Sequence, residues 1–128
     1  MKKLLTLVAI AEGATGVALM VAPSPVGRLL FGAELTGVTA VVGRVAGIAL
    51  FALGIACWLA RTDTPSRAAK GLVAAMLFYN FAVAAFLAFA GLDLGLRGVM
   101  LWPAVILHAA MAVWCVACLL RSSINVMD

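Results

Sequence analysis

Four long apolar runs, at residues 4–22, 38–60, 68–90 and 101–120, constrain this chain more than any other feature. Each is close to the ~20 residues that a helix needs to cross a hydrocarbon layer ~30 Å thick at ~1.5 Å per residue. Segments of that length in lipid have to satisfy every backbone N–H and C=O internally, so they form helices. Membrane strands would instead alternate in polarity over about ten residues, and these runs do not. The expectation is an all-α fold, a single domain over residues 1–128 built as an antiparallel bundle of four transmembrane helices.

Composition closes off the alternatives. Hydrophobic residues make up 66% of the 128 and charged ones 11%, too few to cover a water-soluble surface. The net charge of +4 could suggest a nucleic-acid partner, but the basic residues stand at the ends of apolar runs, with no aromatic-interleaved basic patch. No nucleic acid is expected. Lys2, Lys3, Arg61, Arg67, Lys70 and Arg121 fall on one side of the bundle, and Arg28 and Arg97 on the other. Positive residues collect on the cytoplasmic side, so both termini are expected in the cytoplasm. Trp58 and Trp102 then mark its two interfaces.

The joints fit this scheme. In "TDTPSR" (62–67), Thr64 reads as an N-cap and Pro65 as the first residue of the third long helix. "AGLDLGLRG" (90–98) is a glycine-rich turn, and Pro103 lies in the first turn of the fourth long helix. The longest connection, "PSPVGRLLFGAELTG" (23–37), sets Leu29, Leu30 and Phe31 beside Arg28, a pattern for a short segment lying in the interface. The first run is read as a retained span rather than a cleaved signal peptide, because Glu12 interrupts it and Pro23 follows Ala22.

Helices in lipid associate through close backbone approach and polar bonds. Gly43 and Gly47 form a GxxxG step extended by Gly54, while Ala9, Gly13 and Gly16 thin the first helix. The polar residues are rarer and more informative. Each long helix carries one or two towards its middle: Glu12 in the first, Arg44 in the second, Tyr79 and Asn80 in the third, His108 in the fourth. A charge at the centre of a lone helix costs ~2.5–3.5 kcal/mol on insertion scales, so these groups should face one another as an intramembrane polar cluster. Two readings stay open. Glu12 and Arg44 could form a buried ion pair that holds helices together, with Asn80 or His108 taking the remaining bonds. Alternatively the cluster binds a proton or a small ligand.

"CVAC" (115–118) puts Cys115 and Cys118 on one helix face, with Cys57 at similar depth on the second long helix. Redox dithiols use that spacing, although cysteine also serves as a small apolar residue in such helices. An odd cysteine count inside the spans speaks against a disulfide framework. His108 has no second histidine or carboxylate at i+3 or i+4 to complete a metal site. No phosphate loop, GxSxG elbow or HExxH is present. Neither a cofactor, a metal nor a set of catalytic residues is expected.

Two resemblances bear on function. "AIAEGATG" around Glu12 resembles the first helix of the small multidrug resistance transporters, which are four-helix proteins that work as dimers; that likeness would make Glu12 an exchange site for protons or cationic drugs. Arg44, and the lack of a Trp beside Tyr79, depart from that pattern. Residues 1–61, with a proline-bearing outer loop, "GRLLFG" and "GRVAGIALFALGIACWLAR", look more like small bacterial four-helix membrane proteins of the DoxX-like type. That resemblance implies the fold, an inner-membrane address and, for some members, a link to quinone-dependent oxidation. The reading is a non-enzymatic accessory or small-ligand-binding bundle in the lipid bilayer, with a second copy or a larger membrane complex as its candidate partner. The alternatives are a proton-coupled transporter acting as a homodimer and a quinone-associated redox subunit.

Overall fold

The computed structural model describes residues 1–63 and 66–124, and among them every regular element is helical. The order is α1 (Lys2–Val21), α2 (Pro23–Phe31), α3 (Val38–Ala60), α4 (Arg67–Leu92) and α5 (Leu101–Ile124). Four of them, α1, α3, α4 and α5, are long and apolar enough to cross a membrane. Their outward faces are apolar as well: Phe78, Phe81 and Phe86 on α4 are 66–74% exposed, a surface that suits lipid and not water.

Local chemistry sets the boundaries. Proline at 23 disfavours helical backbone at the residue before it, and Ala22 turns to φ −139°, ψ 71°, dividing α1 from α2. Pro23 then opens α2, where a missing N–H is harmless. Gly32, at φ +74°, closes α2 in the left-handed conformation that favours glycine. The N-cap of α4 is Ser66, whose Oγ accepts the Ala69 N–H at 3.1 Å. Thr64 and Pro65, which the sequence suggests for that role, lie outside the described residues. Pro103 does sit in the first turn of α5.

The bundle is two antiparallel hairpins set side by side, α1 against α3 and α4 against α5. The glycines explain the first pairing. A Cβ on Gly16 would stand 2.7 Å from the Gly47 carbonyl oxygen, and one on Gly54 would stand 3.0 Å from the Ala9 carbonyl oxygen and the Gly13 nitrogen. Only hydrogen at these positions lets two backbones run that close. The two hairpins meet at the end that holds the N-terminus, where Leu4, Leu5 and Val8 of α1 pack with Cys57 of α3, Val73 and Met76 of α4, and Met111 and Cys115 of α5. At that end Arg61 lies 3.4 Å above the Trp58 ring and donates to the Trp58 carbonyl, a polar head resting on an aromatic at the helix terminus.

At the opposite end α2 joins the hairpins. The backbone N–H groups of Arg97 and Met100, in and after the α4–α5 turn, donate to the Phe31 and Leu29 carbonyls at 3.3 and 2.8 Å. These are carbonyls of the last turn of α2, which has no intrahelical partner for them. Gly98 lets the turn lie directly on the backbone of Leu29 and Leu30. The segment expected to lie in the interface is therefore a helix tied to both halves of the fold, with Arg28 and Glu34 paired on its exposed side.

Candidate functional site

Midway along helices apolar enough to cross a membrane, a polar side chain would have no water to turn to inside a bilayer and would need protein partners. Glu12 is about 15 Å from either end of α1, and Tyr79 about 18 Å from the start of α4, at ~1.5 Å per residue. The Tyr79 hydroxyl donates to Glu12 Oε2 at 3.0 Å. Asn80, fully buried, donates from Nδ2 to the Met76 carbonyl at 2.7 Å, and its Oδ1 lies 2.8 Å from His108 Nδ1. The Tyr79 and His108 rings meet edge to face, with centroids 5.8 Å apart and planes at 78°. Tyr79 and Asn80 are adjacent in sequence and so point ~100° apart around α4. One reaches α1 and the other α5. Four of the five expected cluster residues, on three helices, thus form one connected polar girdle.

Arg44 is not part of it. The residue is exposed, and among the described residues it makes no ion pair with Glu12. The register of the hairpin accounts for this. Gly47 packs on Gly16, Leu19 and Met20 of the antiparallel α1, so Arg44, three residues nearer the start of α3, lies ~10 Å or more along the bundle from Glu12. It also lies only about 9 Å from the start of α3, close enough for a long cationic side chain to extend towards the helix end. The partner of Glu12 is a phenol and not a guanidinium.

Above the girdle, towards α2, the hairpins separate around a partly enclosed cavity of ≈ 340 Å³. Ala18 and Leu19 of α1, Leu50 of α3, Val83 and Leu87 of α4, and Ala104 and Leu107 of α5 form its apolar walls. Val26, Leu29 and Leu30 of α2 roof it. Tyr79 and His108 line it from the girdle side, and Thr15 contributes a hydroxyl from an exposed position. The volume falls in the ~300–1,000 Å³ range of small-molecule sites, and apolar walls with a few convergent polar groups are their usual lining. The sequence carries the polar residues but no sign of the cavity. The nearest signal is the "RLLF" of α2, whose Leu29 and Leu30 join Val26 in the roof.

No family model, curated protein or solved structure matches this chain. What the site can do has to come from its own groups. Among the described residues no three His, Cys, Asp or Glu side chains gather where they could hold a metal ion. Cys57, Cys115 and Cys118 are free thiols buried in the core at the N-terminal end, packed among leucine, valine and methionine. They lie apart from the cavity lining.

Proposed function

We propose that this chain is a multi-pass protein of a bacterial-type inner membrane, with both termini cytoplasmic, that binds a small lipophilic molecule between its two hairpins without transforming it. One observation carries the reading: a cavity with apolar walls ends on Tyr79 and His108, and both are held in place from behind, by Glu12 and Asn80. Side chains oriented by buried partners make a recognition surface. A cluster serving only to join helices needs no space beside it. Six basic residues on one side against three on the other, with Arg44 joining Arg28 and Arg97, support the orientation, and the "GRLLFG" resemblance to DoxX-like proteins supports the address.

The transporter alternative asks Glu12 to be reachable by a cation, whereas its side chain is 3% exposed and bonded to Tyr79. The redox alternative gains nothing from thiols sealed in a packed core. The test is to purify the protein in a mild detergent, extract it with organic solvent and identify co-purifying small molecules by mass spectrometry. A near-stoichiometric compound is expected in the unaltered protein and should be lost in Ala104→Phe, which fills the cavity. An extract holding only bulk lipid, identical in the two proteins, overturns the reading.

A further inference from the structure

The hydrogen-bond directions around His108 define what chemistry the cavity accepts. Asn80 donates from Nδ2 to the Met76 carbonyl at 2.7 Å; the flipped amide would set two acceptor oxygens against each other at that distance. Oδ1 therefore faces His108, and an amide oxygen only accepts, so the 2.8 Å contact is an Nδ1–H donation. The neutral ring then keeps its lone pair on Nε2. No hydrogen bond to Nε2 exists among the described residues, yet no buried side-chain nitrogen or oxygen is left without a partner, so Nε2 is an accessible atom on a residue that lines the cavity. Tyr79 repeats the arrangement: its O–H is committed to Glu12, which leaves oxygen lone pairs on the phenol. Both groups on the girdle side of the cavity have turned their donors inward and present acceptors. Thr15, with a rotatable hydroxyl, is the one polar lining group able to serve either way.

Resting on the ligand-binding reading above, we infer that the occupant is a neutral lipophile bearing a hydroxyl group, which donates its O–H to His108 Nε2 while its apolar body lies between Leu19, Leu87 and Leu107 under α2. A compound with carbonyl or ether oxygens alone meets an unpaired lone pair at this nitrogen, which costs affinity in an apolar site. Asn80 is a positioning residue in this scheme: it fixes which ring nitrogen is bare.

The chain has one histidine, so ring ¹⁵N signals belong to His108 without ambiguity. In the detergent-solubilised full chain, one protonated and one bare ring nitrogen are expected, with the proton on Nδ1. A proton on Nε2 overturns the inference before any ligand is added. Binding is then measured for two matched pairs of probes, 4-octylphenol against 4-octylanisole and 1-decanol against decyl methyl ether. Each hydroxyl should bind about five- to tenfold more tightly than its ether, the loss expected for one buried hydrogen bond. Whichever pair discriminates more tells a phenolic from an aliphatic hydroxyl. Octylphenol should also shift the bare nitrogen signal, and Asn80→Leu should lose both the single tautomer and the preference. Equal binding of hydroxyl and ether, abolished by Ala104→Phe, overturns hydroxyl recognition and leaves the ligand-binding bundle standing. No binding of any probe overturns both. The NMR result on the unaltered protein stands even where a variant fails to fold.

Discussion

The two ends of the bundle are built on opposite plans. At the end holding the N-terminus, all four long helices meet in a core where Leu4, Leu5, Val8, Val73, Met76, Met111, Cys57 and Cys115 are at most 2% exposed. At the α2 end the same helices separate, and a nine-residue strap, α2, holds the hairpins around open space. Helices in lipid gain no hydrophobic drive from touching one another, so contact itself has to supply the cohesion. A fold this small can leave one end hollow only if the other end and the α1–α3 glycine seam keep it together. The polar girdle marks the boundary between the two plans.

The largest effect expected from breaking this division comes at the seam. A Cβ at Gly47 would stand 2.7 Å from the Gly16 carbonyl oxygen and 2.9 Å from the Met20 nitrogen and Leu19 Cβ, two of them backbone atoms that cannot swing aside. Gly47→Val should force α1 and α3 apart and destabilise the fold by more than about 3 kcal/mol, at or beyond the usual cost of overpacking. Unfolding by sodium dodecyl sulfate from a mild detergent, followed by circular dichroism, measures it. A midpoint equal to that of the unaltered protein would show that the seam is not what holds the hairpin.

A smaller pair of effects compares the ends directly. Met111 is 2% exposed in the packed end, and Met111→Ala should cost about 2–4 kcal/mol through lost contacts and a new void. Ala104 lines the existing cavity, and Ala104→Leu should be neutral or stabilise by up to about 1 kcal/mol, as cavity-filling changes do. Cys57 and Cys115 are fully buried, so their maleimide labelling reports the opening of the packed end. Labelling should accelerate in Met111→Ala and stay slow in Ala104→Leu. Equal acceleration in both would erase the distinction between a packed end and a hollow one.

The long helices were legible because an apolar run of twenty residues has few other fates: α3 covers the expected 38–60, and α4 extends the expected 68–90 only to Arg67–Leu92. The nine residues of α2 are too few for such a signal, and only Arg28 beside Leu29 and Leu30 hinted at their place. For the polar residues, sequence position gives depth along a helix but not direction around it. A long arginine stem suggests a reach to Glu12, while the contact of Gly47 with Gly16 and Met20 sets Arg44 too far along the bundle for it, a register that neither helix shows alone. The cavity left no trace at all, since it consists of side chains that fail to meet.

The smallest expected effect tests whether the seam depends on glycine as such or on particular approaches. Gly13 lies three residues before Gly16 on α1 and next to Glu12 in the girdle, yet a Cβ added there would meet nothing within 4 Å. Gly54 is the residue that needs hydrogen at this crossing, because its own Cβ would stand 3.0 Å from the Gly13 nitrogen. Glycine inside a helix costs about 0.5–1 kcal/mol relative to alanine through backbone entropy, so Gly13→Ala should leave the detergent-unfolding midpoint unchanged or raise it by no more than that amount. Gly16→Ala, with its Cβ 2.7 Å from the Gly47 carbonyl oxygen, should lower it. A loss in Gly13→Ala as large as that in Gly16→Ala would mean that α1 and α3 approach each other along the whole helix face, with no slack left beside Glu12 at the girdle.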